Sequence, residues 1–260
     1  GEPDRVTGGY DVWIGDLVRG TFSRFTSNPA SDNSAVWSPD GAKIFFSSNR
    51  GGIFDLYEKE TGGAGTEQLL LHTSNYKSPM DCSPDGRYLL FQEVSAKTNA
   101  DLWILPLFGD RKQLPYLQSE FNESQGVFSP DGKWIAYASD ETGRPEVYVQ
   151  SFPMAKGTKR QVSTAGGAEP MWNRDQKQLY YLASDTKLMT VPVTMNPGFE
   201  PGTPVPLFET HFSYNTLGAS ERTQYAVNAD GQRFLLNNLA KQSSETPINI
   251  ILNWTNLVKQ

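Results

Sequence analysis

The sequence is poor in the residues from which most reaction centres are made. Its 260 residues include one cysteine, Cys82, and two histidines, His72 and His211. A single cysteine excludes an intrachain disulfide, and its position in an apolar strand predicts a buried, inert thiol. Two histidines in unrelated contexts give no metal-ligand spacing, so no metal or cofactor is expected, and both read as solvent-facing loop residues. Basic residues are few: 23 Lys and Arg stand against 29 Asp and Glu, a net charge of −6. That balance argues against nucleic acid, whose binders present a basic face. No apolar run approaches the roughly 18 residues of a membrane helix and no signal-peptide pattern opens the chain, so membrane insertion by this chain is not expected. Catalytic signatures are missing too. There is no Gly-x-Ser-x-Gly elbow, no Gly-rich phosphate loop, no His-Arg-Asp and no Asp-Phe-Gly, and "GAS" at Gly218 to Ser220 lacks the second glycine.

What is abundant is turn and strand chemistry, with 23 Gly, 17 Pro and 12% aromatics. Ser-Pro-Asp-Gly begins at Ser38, Ser83 and Ser129, and weaker copies follow at Asn173 ("NRDQ") and Asn228 ("NADG"), at steps of 45, 46, 44 and 55. A second marker, an acid before a short apolar run, falls at Asp11, Asp55, Asp101 and Glu146, at steps of 44, 46 and 45. Two unrelated markers sharing one period define a true repeat.

Within a unit, Asp-Gly between apolar runs predicts a tight hairpin, because glycine tolerates positive φ and the aspartate bonds nearby amides. Asp40, Gly41, Asp85, Gly86, Asp131 and Gly132 are therefore read as structural turn residues; a catalytic acid appears once, not once per repeat. The acids of the second marker are expected to accept bonds from backbone amides or basic neighbours. Runs such as "KWIAYA", "RYLLF" and "QLYYL" are apolar at successive positions, which implies burial on both faces. Four short strands in 44 to 46 residues, sandwiched between like sheets, specify an all-β fold, a β-propeller of four-stranded antiparallel blades.

The expected organisation is a single propeller domain over 1–260, with a partial blade at 10–27, full blades at 34–71, 78–116, 124–163 and 168–209, and a last blade at 222–256. The chain is expected to enter mid-blade. Either five blades close the ring with the N-terminal strands, or the ring is of a six-bladed type with its first blade incomplete.

The series "DLWILPLFGDRKQLPYLQSEFNES", "SPDGKWIAYASDETGRPEVYVQSFP", "QVSTAGGAEPMWNRDQKQLYYL", "GTPVPLFET", "DGQRFLLN" and "PINIILNW" resembles the TolB-type, WD-like propeller repeat. In particular it resembles the C-terminal propeller of bacterial eukaryotic-like Ser/Thr protein kinases. The resemblance implies a sensor or interaction module of a larger bacterial signalling protein, with a cell-envelope setting favoured; kinase activity does not carry over, because the kinase motifs are absent.

Function is expected where the blades differ, in the loops around the channel mouth. Six positions before each turn marker stand Asp32, Lys77, Glu123, Gly167 and Arg222. Their alternating charges predict either a ring of mutual salt bridges or a polar site. Tyr76, Phe121 and Tyr214 beside them add aromatic surface suited to an interface. The expected partner is a protein, a peptide or a small polar ligand. The competing expectation is a hydrolase or lyase using Asp32, Lys77, Glu123 and Arg222, or the propeller of a prolyl-oligopeptidase-like peptidase.

Overall fold

In a computed structural model the structure describes residues 9–62, 65–153, 159–196, 198–210 and 223–237, and the strand backbone of 249–252. The described residues form strands and no helix. The chain divides into two compact units, residues 1–115 and 116–260.

The first unit opens with a two-stranded sheet, β1 (Trp13–Asp16) and β2 (Thr21–Arg24). A four-stranded sheet follows, β3 (Asp32–Trp37), β4 (Lys43–Ser48), β5 (Asp55–Glu60) and β6 (Gln68–Leu71), each strand antiparallel to the one before. The next sheet repeats that order with β7 (Tyr76–Cys82), β8 (Tyr88–Ser95), β9 (Asn99–Pro106) and β10 (Leu114–Leu117).

The second unit holds β11 (Glu123–Phe128), β12 (Trp134–Ser139), β13 (Glu146–Ser151) and β14 (Arg160–Gln161) in one sheet. Its second sheet runs β15 (Gly167–Trp172), β16 (Gln178–Ala183) and β17 (Lys187–Thr194). The outer place there is shared by β18 (Glu200–Pro201) and β19 (Val205–Glu209), both paired with β17. The last sheet is β20 (Tyr225–Val227), β21 (Arg233–Leu236) and β22 (Asn249–Leu252).

The repeated tetrapeptide builds the first hairpin of the three sheets that carry it. Asp40 Oδ1 accepts from the Ser38 hydroxyl at 2.6 Å and from the Ala42 amide at 3.0 Å. Gly41, Gly86 and Gly132 sit at φ 71°, 70° and 69°, where a side chain costs about 1–2 kcal/mol. The same bonds recur at Asp85 with Ser83 and Arg87, and at Asp131 with Ser129 and Lys133.

The strands β4, β8, β12 and β16, second in their sheets, are buried on both faces along most of their length. In unit one, Ile44 and Phe46 face Val12, Phe25 and Tyr57, while Phe45 between them faces Cys82, Leu89 and Phe91. In unit two, Leu179 and Tyr181 join Val149, Trp172 and Phe199, while Tyr180 and Leu182 join Leu207, Tyr225 and Phe234. Each such large side chain contributes roughly 1.5–3 kcal/mol of burial. Cys82 lies on β7, buried, its thiol pushed up to about 12 by burial first and then by Asp81, Asp85 and Asp40.

Candidate functional site

Asp32, Glu123 and Gly167 each open the first strand of a sheet, and Lys77 is the second residue of β7. The repeat therefore brings four of the five predicted positions to equivalent places. A main-chain bond holds three of them: the Asp32 amide donates to the Tyr10 carbonyl at 2.7 Å, Lys77 to Phe54 at 3.0 Å, and Gly167 to Pro145 at 2.9 Å. Each acceptor immediately precedes a recurrent acid, Asp11, Asp55 or Glu146.

The charged side chains there are buried. Lys77 is 0% exposed, and its ammonium donates to Asp55 Oδ1 at 2.8 Å and to the carbonyls of Asn75 and Thr73. Asp32 Oδ1 accepts from Arg50 at 3.1 Å. Burial raises the Asp32 carboxyl above its ordinary value in spite of bonds from Ser48, Thr26 and Arg50. Glu123 Oε1 accepts from the Ser119 hydroxyl at 2.6 Å. Local pairs thus stand where a ring of mutual bridges is expected. The reason is reach, since each partner lies on a loop or strand adjacent in sequence. Gly167 carries no side chain because a Cβ there would stand 2.6 Å from Ser163 Oγ.

Tyr76 is half-buried and packs edge-on against Phe54, ring centroids 5.2 Å apart. Phe121 is half-buried in the β10–β11 loop, its amide donating to Ser119 Oγ at 3.0 Å. Arg222, Tyr214 and His211 lie outside the described residues. His72 is 62% exposed, but its Nδ1 lies 2.6 Å from Asp55 Oδ2 and so it is tethered rather than loose.

The recurrent acids hold the turns into their third strands. Asp11 pairs with Arg24 at 2.7 Å, Asp55 with Lys77 and His72, and Asp101 with the Thr98 hydroxyl. Glu146 pairs with Arg144 at 2.9 Å and accepts from the Gly166 amide at 2.9 Å. A hydroxyl that the sequence reading passed over completes this: Thr26 and Ser163 each donate to the acid and accept the amide of the residue after it, Val12 or Val147. Its signal is the Ser or Thr closing the fourth-strand segments "RFT" and "QVS".

Glu169 was also passed over. It stands two residues into β15, where the register with β16 shifts between Ala168 and Met171 and φ is 54°. Ser34 and Gln125 take the same conformation at the equivalent bulges of β3 and β11. Glu169 is 4% exposed, and burial lifts its carboxyl to about 7 although the Gln224 amide bonded to it pulls the other way. Its signal in the sequence is an acid inside "GAEPMW". Among the described residues no three of His, Cys, Asp and Glu are grouped so as to hold a metal ion.

With sheets, turns and bulges in place, likeness to known structures decides the fold. TolB from Acinetobacter baumannii superposes with a TM-score of 0.73 at 19% identity, over 93% of this chain and 56% of that one. The fold is a TolB-like β-propeller. A manganese-bound oligogalacturonate lyase also aligns, with a TM-score of 0.58 at 14% identity over 89% of this chain and 80% of that one. In sequence, the Tol-Pal system protein TolB of Francisella tularensis is 29% identical over 171 residues, 63% of this chain. The chain spans 37% of that relative's length. No family model matches the chain.

Proposed function

We propose that this TolB-like propeller is a recognition module: it binds a protein, a peptide or a small polar ligand at its loop face and carries no reaction centre of its own. The observation that carries this reading is the fate of the charged candidates. Asp32, Lys77 and Glu123 are buried and committed to internal pairs. General acids, bases and nucleophiles must reach a substrate, and these side chains are turned to holding the scaffold. The aromatics beside those positions are half-buried, Tyr76 in the first unit and Phe121 in the second, and they are the surface candidates, with Tyr214 and Arg222 as further ones. Likeness in sequence to a Tol-Pal system protein, a system component, supports the same reading. The ordered motif series resembles kinase-linked propellers, and from that resemblance we infer a sensor within a larger bacterial signalling protein of the cell envelope.

The test is a thermal-shift screen of the chain against peptides, oligosaccharides and cell-wall fragments. A ligand at a hundredfold excess over its Kd adds about 2.7 kcal/mol to the folded state. Phe121→Ser and Tyr76→Ser are expected to weaken a hit tenfold or more, as loss of an interface aromatic does. Turnover of a hit, abolished by one substitution at Asp32, Glu123 or Arg222, would overturn the reading in favour of a hydrolase or lyase.

A further inference from the structure

The buried Glu169, itself on β15, is joined to the first strands of two other sheets of the second unit at once. Its amide donates to Gln125 Oε1 on β11 at 2.9 Å. Its carbonyl accepts from the Tyr225 hydroxyl on β20 at 2.8 Å. Its carboxyl Oε2 accepts from the amide of Gln224, the residue leading into β20, at 2.7 Å. The other oxygen, Oε1, is buried with no hydrogen-bond partner among the described residues. The backbone at this point is left-handed and followed by Pro170, a conformation that persists only where surrounding bonds enforce it.

We propose that Glu169 is a proton-sensitive latch at the junction of β11, β15 and β20, seated in its dry site while protonated and drawn towards water, away from the last sheet, when it ionises. An ionised carboxylate needs donors for both oxygens, and here only one is supplied from the described residues. The strands packed against β15 provide no countercharge. Their titratable side chains are tyrosines on β12, β13, β16 and β20 and the carboxylates Glu123 on β11 and Glu146 on β13; none of these strands carries Lys, Arg or His. Among the described residues of these strands a negative charge on Glu169 therefore meets other acids and tyrosine hydroxyls, and no cation.

The sign follows from the folded carboxyl titrating near 7 and the unfolded one near the ordinary 4.5. Below the unfolded value both states hold the proton and the latch is intact. Between the two values only the folded state holds it, so stability falls as pH rises, and above about 7 the loss is complete.

The experiment compares the wild-type chain with Glu169→Gln, which keeps the shape and the acceptor for the Gln224 amide but cannot ionise. Urea unfolding at pH 5 and pH 8 is expected to show the wild-type folding constant dropping by roughly a hundredfold, each unit of separation being tenfold, and the variant changing far less. Amide exchange in 225–227, corrected for intrinsic rates, should quicken at pH 8 in the wild type alone. Parallel pH profiles for the two proteins would sink the proposal. Should the variant not fold, the side-chain carboxyl carbon of Glu169 in the wild type decides: titration near 7 supports the latch, and titration below 5 overturns it.

Discussion

At the scale of single residues, the lesson is that a charge inside this protein is a fixture. Lys77 is wholly buried and closes a set of bonds that includes Asp55, and Asp55 in turn holds His72. Removing the ammonium strands a buried carboxylate, so Lys77→Met is expected to cost about 3 to 5 kcal/mol in urea unfolding. Adding Asp55→Asn to that variant should restore part of the loss, because the orphaned charge goes with it. A Lys77→Met protein as stable as the wild type would show that water or a rearranged loop replaces the pair. The same reasoning limits binding experiments: loss of a ligand on changing Lys77 reports the scaffold, whereas loss on changing Phe121 reports the surface.

At the scale of elements, turns were legible from the sequence and bulges were not. Ser-Pro-Asp-Gly encodes its own geometry, since hydroxyl, carboxylate and glycine act within five residues, and the apolar runs foretold the doubly covered second strands. The bulges at Ser34, Gln125 and Glu169 leave no such trace, because non-glycine residues take positive φ there under tertiary constraint. The burial of Asp32, Lys77 and Glu123 was hidden for the same reason: their partners Arg50, Asp55 and Ser119 carry no common spacing. One turn departs from the rule in an instructive way. Gln176 occupies the glycine place of "NRDQ" at φ 58°. Gln176→Gly is expected to stabilise the chain by about 1 kcal/mol, the left-handed strain relieved less the entropy glycine loses. A lower unfolding midpoint for that variant would mean the glutamine side chain makes a bond worth more than the strain.

At the scale of the whole molecule, four of the eleven exposed large hydrophobics among the described residues lie on one hairpin. Trp13, Leu17, Val18 and Phe22 on or beside β1 and β2 are 47%, 74%, 97% and 60% exposed. Large apolar side chains exposed on one short hairpin favour association. The chain is therefore expected to self-associate with rising concentration, and Val18→Lys with Phe22→Lys to suppress it in light scattering; unchanged scattering would place the contact elsewhere. The sheets themselves are joined differently. The bonds from Asp32 to Tyr10, Lys77 to Phe54 and Gly167 to Pro145 run from main chain to main chain, with an acid, a base and a glycine in the same role. The bond itself uses no side chain, and the sheet of β3 to β6 carries both halves of it, the donor at Asp32 and the acceptor at Phe54. A duplicated stretch of gene would bring its own joinery, which is how a propeller can gain a unit first and diversify its loops afterwards.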